Sequence, residues 1–156
     1  MLRRVRGFVR GAVAWLAGTA ATFAVLLARD ADGTISEAVR TYVEAHALGT
    51  GAEPLSLLAI PVFVLGATGF RAGASLRAGV TGRIRDVVQF VRGTERKRYR
   101  TAVTGAGFLA VGYAALAGLS GAIVGISAVD AAVRGFVYGV VVCVPAALLG
   151  VSSERS

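Results

Sequence analysis

"TAVTGAGFLAVGYAALAGLSGAIVGIS", residues 101–127, contains no charged side chain. An α-helix rises ~1.5 Å per residue and the hydrocarbon core of a bilayer is ~30 Å thick, so about 20 apolar residues suffice to cross it. A helix of a soluble bundle usually keeps a polar face with a period of about 3.6 residues, and this stretch has no such face. The stretch therefore predicts a transmembrane helix.

Three other stretches are similarly apolar, and among them only Arg134, near the start of the last one, carries a charge. The mean hydropathy of the whole chain is +0.68. A soluble bundle of buried helices is the alternative. The 18 residues of the first stretch, 11–28, exceed the ~7–15 residues in the apolar core of a cleaved signal peptide, so we expect a retained span. The sequence therefore predicts an all-α integral membrane protein, one domain over residues 1–156, with four transmembrane helices at about 11–28, 54–70, 101–127 and 132–151.

The cationic residues are distributed unevenly between the two sides of such a protein. Four Arg precede the first stretch, nine Arg or Lys lie between the second and the third, and one Arg follows the fourth. Only Arg29, Arg40 and Arg134 fall on the other side. Because cationic flanks remain cytoplasmic, we expect a multi-pass protein of the cell membrane with both termini inside.

The densest basic run is "RGTERKRYR", residues 92–100. Such a run can contact nucleic-acid phosphates, but no nucleic-acid-binding motif surrounds it, and we expect no specific nucleic acid partner. Because the run directly precedes the third stretch, we expect it to fix the topology and to contact anionic lipid headgroups, with its tyrosine in the headgroup layer. The residues assigned to this role are Arg92, Arg96, Lys97, Arg98, Tyr99 and Arg100.

Two connections contain amphipathic patterns. In the outer one, Thr34 and Glu37 have the spacing of a capping box, and an apolar face follows, which predicts a helix at about 34–48. We expect this helix on the outer membrane surface or over the end of the bundle. In the inner one, "RIRDVVQFVRG" predicts a second amphipathic helix at about 82–93, lying against anionic lipid.

Small residues recur along one face of each of the last two stretches. Lipid supplies no hydrophobic drive for helix association, so close backbone approach at small residues has to supply the contact. The connection between these stretches is short, and we therefore expect an antiparallel hairpin, with contact between two copies of the chain as the alternative. The residues assigned to packing are Ala114, Gly118, Gly121 and Gly125 in the third stretch, and Gly135, Gly139, Ala146 and Gly150 in the fourth.

Side chains that usually carry catalysis or ion transport are scarce. No hydrolase, metalloprotease or phosphate-loop motif occurs, and no Asp, Glu or Lys falls inside the four stretches, where ion-coupled carriers usually need charged groups. His46, with Glu44 and Glu53 nearby in sequence, is the one candidate for metal binding or proton transfer. Packing of His46 at the membrane interface is the favoured interpretation, and we expect no cofactor, no metal and no enzymatic activity.

These features favour a structural, accessory or assembly subunit that acts through helix packing and a cationic cytoplasmic face. Its expected partners are anionic lipid headgroups and either a second copy of the chain or another membrane protein. A small oligomeric transporter or channel for a neutral or weakly selected solute is the alternative. A membrane enzyme that uses His46 at the outer face is the third hypothesis.

Three features together resemble small four-span membrane proteins of haloarchaea. They are "RGAVAWLAG" (10–18) after a basic tail, "YVEAH" (42–46) in the first outer connection, and a last span that contains both Gly and Pro. The resemblance implies an archaeal multi-pass protein of the cell membrane, and it implies no particular activity.

Overall fold

The computed structural model describes residues 2–29, 34–46, 55–75 and 87–152, with side chains for residues 4–29, 34–46, 59–75 and 98–152. The prediction of an all-α protein is confirmed, because every regular element within these ranges is a helix. The helices are α1 (Leu2–Ala28), α2 (Ile35–Glu44), α3 (Leu55–Ala74), α4 (Val87–Ile123) and α5 (Ala128–Ser152).

Three of the described helices are long and apolar enough to cross a membrane, where the sequence predicts four. They contain the candidate spans Arg4–Ala28, Arg98–Ile123 and Ala128–Ser152. The remaining predicted span falls on α3, whose segment with described side chains, Ala59–Ala74, is apolar but shorter than the other three. The three long apolar helices indicate a membrane-embedded protein.

The predicted boundaries of the last two spans differ from those of the helices. α4 ends at Ile123, and the chain turns at Gly125, whose φ of 77° is a left-handed conformation that glycine adopts at low cost. Ser127 then caps α5, since its hydroxyl oxygen accepts a hydrogen bond of 3.3 Å from the Asp130 N–H. Residues 124–127 therefore form a turn, and α5 begins four residues before the predicted span.

The basic run and the third span form one continuous helix. α4 has 37 residues, about 55 Å of helix, which exceeds the ~30 Å of a hydrocarbon core. The prediction of a separate amphipathic helix at 82–93 is therefore wrong for residues 87–93, which belong to α4. The run contains no proline, and a single Gly93 costs only about 1 kcal/mol in a helix interior. Residues 82–86 lie outside the described part of the chain.

The predicted outer helix is present as α2, although residues 47–48 of the predicted range lie outside the description. The Thr34 hydroxyl accepts a hydrogen bond of 3.1 Å from the Glu37 N–H, as the capping box requires. The second half of the helix packs against the bundle. Ile35 is 71% exposed at its start, whereas Tyr42 and Val43 near its end are buried against α1 and α4.

Two contacts, made by Arg40 within α2 and by His46 just after it, define the depth of α2. Arg40 Nη2 donates a hydrogen bond of 3.0 Å to the carbonyl oxygen of Val124, just beyond the end of α4. His46 contacts Tyr113, ten residues before Ile123 and hence about 15 Å further along α4. The connection between α1 and α3 therefore enters the bundle from the end where α4 and α5 are joined.

α1 runs parallel to α4. A β-carbon on Gly7 would lie 3.0 Å from the Phe108 β-carbon, and one on Gly11 would lie 2.7 Å from the Tyr113 nitrogen. The residue numbers rise together along the two helices, and the helices touch at backbone distance. Such close approach is the contact that holds helices together in lipid.

α3 runs parallel to α5 in the same manner. A β-carbon on Gly69 would lie 2.8 Å from the Cys143 carbonyl oxygen, and one on Gly73 would lie 3.1 Å from the Ala147 α-carbon. The thiol of Cys143 also donates to the carbonyl oxygen of Leu65 at 3.5 Å. Leu65 and Cys143 are fully buried and form the part of the core between these two helices.

Candidate functional site

The predicted topology residues lie on the N-terminal half of α4. Arg98 and Tyr99 are half-buried and Arg100 is exposed. The side chains of Arg92, Arg96 and Lys97 lie outside the description, although their backbone is part of the helix. Arg100 lines a cleft that also contains arginines of α1. The basic segment is therefore next to the basic N-terminal end of the chain.

Five of the predicted packing residues lie at the antiparallel contact between α4 and α5. Gly118 faces Ala132, and a β-carbon there would lie 3.1 Å from the alanine methyl group. Gly139 faces Ala110, where the corresponding distance is 3.0 Å. Between them, Gly121 faces Ala131, and Gly135 faces Ala114 and Ala117.

The other three predicted packing residues lie elsewhere. Gly150 contacts α3, because a β-carbon there would overlap the carbonyl oxygen of Phe70. Ala146 also faces α3, where its methyl group would lie 3.3 Å from a β-carbon on Gly69. Gly125 lies in the turn after α4, and nothing lies within 4 Å of a β-carbon placed there. The small-residue face of the last span therefore serves two partners, α4 in its first half and α3 in its second.

The main polar site inside the bundle is formed by His46, Tyr42 and Tyr113, which we call the His–Tyr network. His46 Nε2 lies 2.7 Å from Tyr113 Oη, and His46 Nδ1 lies 2.6 Å from the Tyr42 carbonyl oxygen. The two tyrosine hydroxyl oxygens are 2.5 Å apart. His46 is 4% exposed and both tyrosines are fully buried. The network joins the end of the α2 segment to the middle of α4.

Aromatic rings enclose the His–Tyr network. The Trp15 ring of α1 meets Tyr42 and Tyr113 edge to face, at centroid distances of 4.8 and 5.0 Å. The Tyr138 ring of α5 meets His46 edge to face at 5.0 Å. Pairs of this kind contribute roughly 0.5–1.5 kcal/mol each beyond the area that they bury. Three helices and the α2 segment thus contact one another through five rings.

Trp15 and Gly18 position the network from the side of α1. The Trp15 Nε1–H donates a hydrogen bond of 3.0 Å to Ser120 Oγ of α4, which holds the indole ring against the network. One turn later, Gly18 leaves the space that the Tyr42 hydroxyl occupies, since a β-carbon at this position would overlap the phenol ring. A glycine in α1 therefore allows α2 to enter the bundle.

The positions of the protons in the network follow from its acceptors. The Tyr42 carbonyl oxygen can only accept, so His46 Nδ1 carries a proton and donates it. His46 lies in the connection between α1 and α3, and burial lowers its pKa to about 4, so the ring is neutral at neutral pH. Nε2 then accepts from the Tyr113 hydroxyl, whose oxygen accepts from the Tyr42 hydroxyl. The three hydrogen bonds therefore form a chain from the Tyr42 hydroxyl to the Tyr42 carbonyl oxygen, in which both imidazole nitrogens have partners.

The hydrogen bonds of the His–Tyr network stabilise the packing of the α2 segment against α4. Each of its hydrogen bonds contributes roughly 0.5–1.5 kcal/mol, whereas a buried group that loses its partner costs about 1–3 kcal/mol. Removing one polar group of the network therefore lowers the stability of the bundle by more than the free energy of a single hydrogen bond. The network holds the α2 segment at a defined depth between α1, α4 and α5.

The three residues considered for metal binding are not brought together in the described part of the chain. His46 is buried, whereas Glu44, two residues before it, is exposed. Glu53 lies outside the description. Within the residues that the structure describes, no three His, Cys, Asp or Glu side chains lie close enough to hold a metal ion.

The partners of His46 were not predictable from the sequence. Tyr113 is separated from it by 67 residues, and Trp15 from Ser120 by 105. One local signal was available, because Tyr42 and His46 are four residues apart and so share one face of a helix. Comparison with known proteins adds nothing to this assignment, since no family model, curated protein or solved structure matches the chain.

Proposed function

We propose that the protein spans the cell membrane four times and that α3 forms the second span. Two observations support this proposal. α3 has 20 residues, about 30 Å of helix, which equals the thickness of a hydrocarbon core. It also lies parallel to α5 with Phe70 beside Gly150, so a bilayer that surrounds the second half of α5 also surrounds that of α3.

We further propose that both termini are cytoplasmic. Because α1 and α4 are parallel, Arg4, Arg6 and Arg10 lie at the same end of the bundle as Arg100, around one cleft. Arg40 lies at the other end, where it contacts Val124. The cationic end is the one that remains inside by the positive-inside rule.

The function that this arrangement supports best is that of a non-catalytic accessory or assembly subunit. One observation carries the proposal. Each buried side-chain nitrogen and oxygen atom of the described residues has a hydrogen-bond partner, whereas large apolar side chains face outward and arginines crowd one end. The available surfaces are therefore an apolar belt and a cationic face. Such surfaces suit contact with lipid and with another membrane protein.

We expect the full chain to co-purify with one larger membrane protein at a fixed ratio after extraction from native membranes and chemical cross-linking. Replacing both Arg71 and Arg98 by glutamine should lower the yield of that partner several-fold. Both residues belong to the cationic face, because Arg71 lies in the last turn of α3, next to Ala72 of the arginine-lined cleft, and Arg98 lies two residues before Arg100. Arg134→Gln, at the opposite end, serves as the control and should leave the yield unchanged. Quantitative mass spectrometry of the cross-linked complexes measures both effects.

A different result would favour the alternative function. If the chain is recovered only as a homo-oligomer, and liposomes containing it become permeable to a neutral solute such as glycerol, the accessory role is wrong. An oligomeric transporter or channel would then be the better assignment. An unchanged partner yield in the Arg71 and Arg98 variant would also contradict the role given to the cationic face.

A further inference from the structure

We propose that the cleft between α1, α3 and α4 at the cationic end is a binding site for a phosphate-bearing ligand with two or more negative charges. The cleft has a volume of about 660 Å³. Among the described residues, Arg4, Arg6 and Arg10 of α1 and Arg100 of α4 line it, and none of the described lining side chains is acidic. The inference rests on this geometry and not on the accessory role proposed above.

The charge of the cleft is not neutralised within the described part of the chain. The ion pair found there joins Arg134 to Asp130 on α5, at the opposite end of the bundle. None of the four cleft arginines has a carboxylate partner among the described residues. Guanidinium groups that converge without a carboxylate repel one another, and a bound anion relieves that repulsion.

The guanidinium groups are the donors that an anion would meet. The Thr104 hydroxyl donates to the Arg100 carbonyl oxygen at 2.8 Å, and the Ser75 hydroxyl donates to the Ala72 carbonyl oxygen at 2.8 Å. These two hydroxyl groups therefore have no proton left to donate to a bound anion. Arginine presents a planar pair of N–H groups that fits two phosphate oxygens at once, so the arginines select phosphate over a halide ion.

The lining of the cleft also includes apolar side chains. Phe108 and Leu109 line it, and the guanidinium carbon of Arg4 lies 5.6 Å from the centre of the Phe108 ring. This cation–π contact holds Arg4 at the wall. A ligand with a phosphate group and an adjoining apolar part fits such a surface. An anionic lipid headgroup and a soluble phosphate compound share the phosphate chemistry, and the test below separates them.

Gly105 provides a way to fill the cleft without removing a charge. It lines the cleft, and nothing lies within 4 Å of a β-carbon placed on it. Gly107 on the same helix has equally open surroundings but does not line the cleft. Gly105→Leu is therefore a steric plug, and Gly107→Leu is its matched control. Arg6→Gln combined with Arg10→Gln removes charge from the cleft, and Arg134→Gln, at the opposite end of the bundle, is the control outside the cleft.

Two probes distinguish the possible sources of phosphate. The first is inorganic pyrophosphate, titrated by calorimetry into the full chain in a neutral detergent. The second is phosphatidate at about one-tenth of the lipid in phosphatidylcholine nanodiscs, with the lipids retained per chain counted by native mass spectrometry. We expect saturation at one ligand per chain with at least one probe. Pyrophosphate binding indicates a soluble ligand, and retention of phosphatidate alone indicates a lipid.

The Arg6/Arg10 variant should weaken binding about tenfold or more, since a charge-assisted hydrogen bond is worth roughly a factor of ten in affinity. Gly105→Leu should weaken binding about as much, because the leucine side chain occupies the space that the ligand needs. The binding affinity of each control variant should stay within about twofold of that of the parent chain. If neither probe saturates at one per chain, or if the plug and its control bind equally well, the proposal is overturned. Should Gly105→Leu fail to fold, the arginine variant decides, and unchanged binding by that variant overturns the proposal.

Discussion

Replacing Gly112 by leucine should separate α1 from α4 and destabilise the bundle by about 3 kcal/mol or more. A β-carbon at Gly112 would lie 2.9 Å from the Phe8 α-carbon and would overlap the Phe8 carbonyl oxygen. These are backbone atoms of α1, so the clash is relieved only by moving the whole helix. Trp15 is the single tryptophan and is buried at the same contact. Its fluorescence during unfolding in a denaturing detergent therefore reports the loss directly.

Gly107→Leu is the control for this experiment. It introduces the same side chain into the same helix, where nothing lies within 4 Å of the new β-carbon. We expect its unfolding midpoint to equal or slightly exceed that of the parent chain, because the new side chain meets no neighbour and leucine has a helix propensity up to about 1 kcal/mol better than glycine. Equal midpoints for the Gly112 and Gly107 variants would mean that α1 and α4 are not in backbone contact.

Tyr113→Phe should destabilise the bundle by about 2–4 kcal/mol although it removes one oxygen atom. That oxygen donates to His46 Nε2 and accepts from the Tyr42 hydroxyl. Its loss leaves two buried polar groups without a partner, at about 1–3 kcal/mol each. The free energy of unfolding in mixed micelles, followed by the fluorescence of Trp15, measures the effect.

Tyr138→Phe makes the same chemical change beside the same histidine. The Tyr138 ring contacts His46 at a centroid distance of 5.0 Å, but its hydroxyl group makes no hydrogen bond with a described residue. We expect a loss below about 1 kcal/mol, since no buried partner is left unsatisfied. If both variants lose the same stability, the His–Tyr network does not hold α2 in the bundle.

The sequence predicts the helices well because each depends on neighbouring residues. The capping spacing of Thr34 and Glu37 predicts α2, and the uninterrupted apolar residues of 101–123 predict most of the membrane part of α4. The depth of α2 is different. An apolar face with Ile35 at one end and Tyr42 at the other fits a membrane surface as well as a bundle interior. Two features favour the bundle interior for α2. Gly18 leaves room for the Tyr42 phenol ring, and the distant Tyr113 provides the hydrogen-bond partner of the Tyr42 hydroxyl.

The sequence predicts only some of the contacts between helices. A short connection makes α4 and α5 neighbours, and Gly139 faces α4 accordingly. The same small-residue pattern continues to Gly150, which faces α3. A helix periodicity states which residues share a face, but it does not state which helix covers each end of that face. That choice depends on the arrangement of all the helices.

The most direct test of the four-span bundle is the reactivity of single cysteines in intact membranes. The parent chain has one cysteine, Cys143, which is buried and gives a low background. Phe63 lies within α3 and is 77% exposed, so it faces lipid if α3 crosses the bilayer and water if it does not. Ser36 and Arg71 are exposed residues of α2 and of the end of α3.

With a membrane-impermeant maleimide, Ser36→Cys should react from the outer side and Arg71→Cys only in inverted vesicles. Phe63→Cys should react from neither side until detergent dissolves the bilayer. Labelling of Phe63→Cys in intact membranes at the rate of Ser36→Cys would show that α3 is not a membrane span and would contradict the four-span bundle.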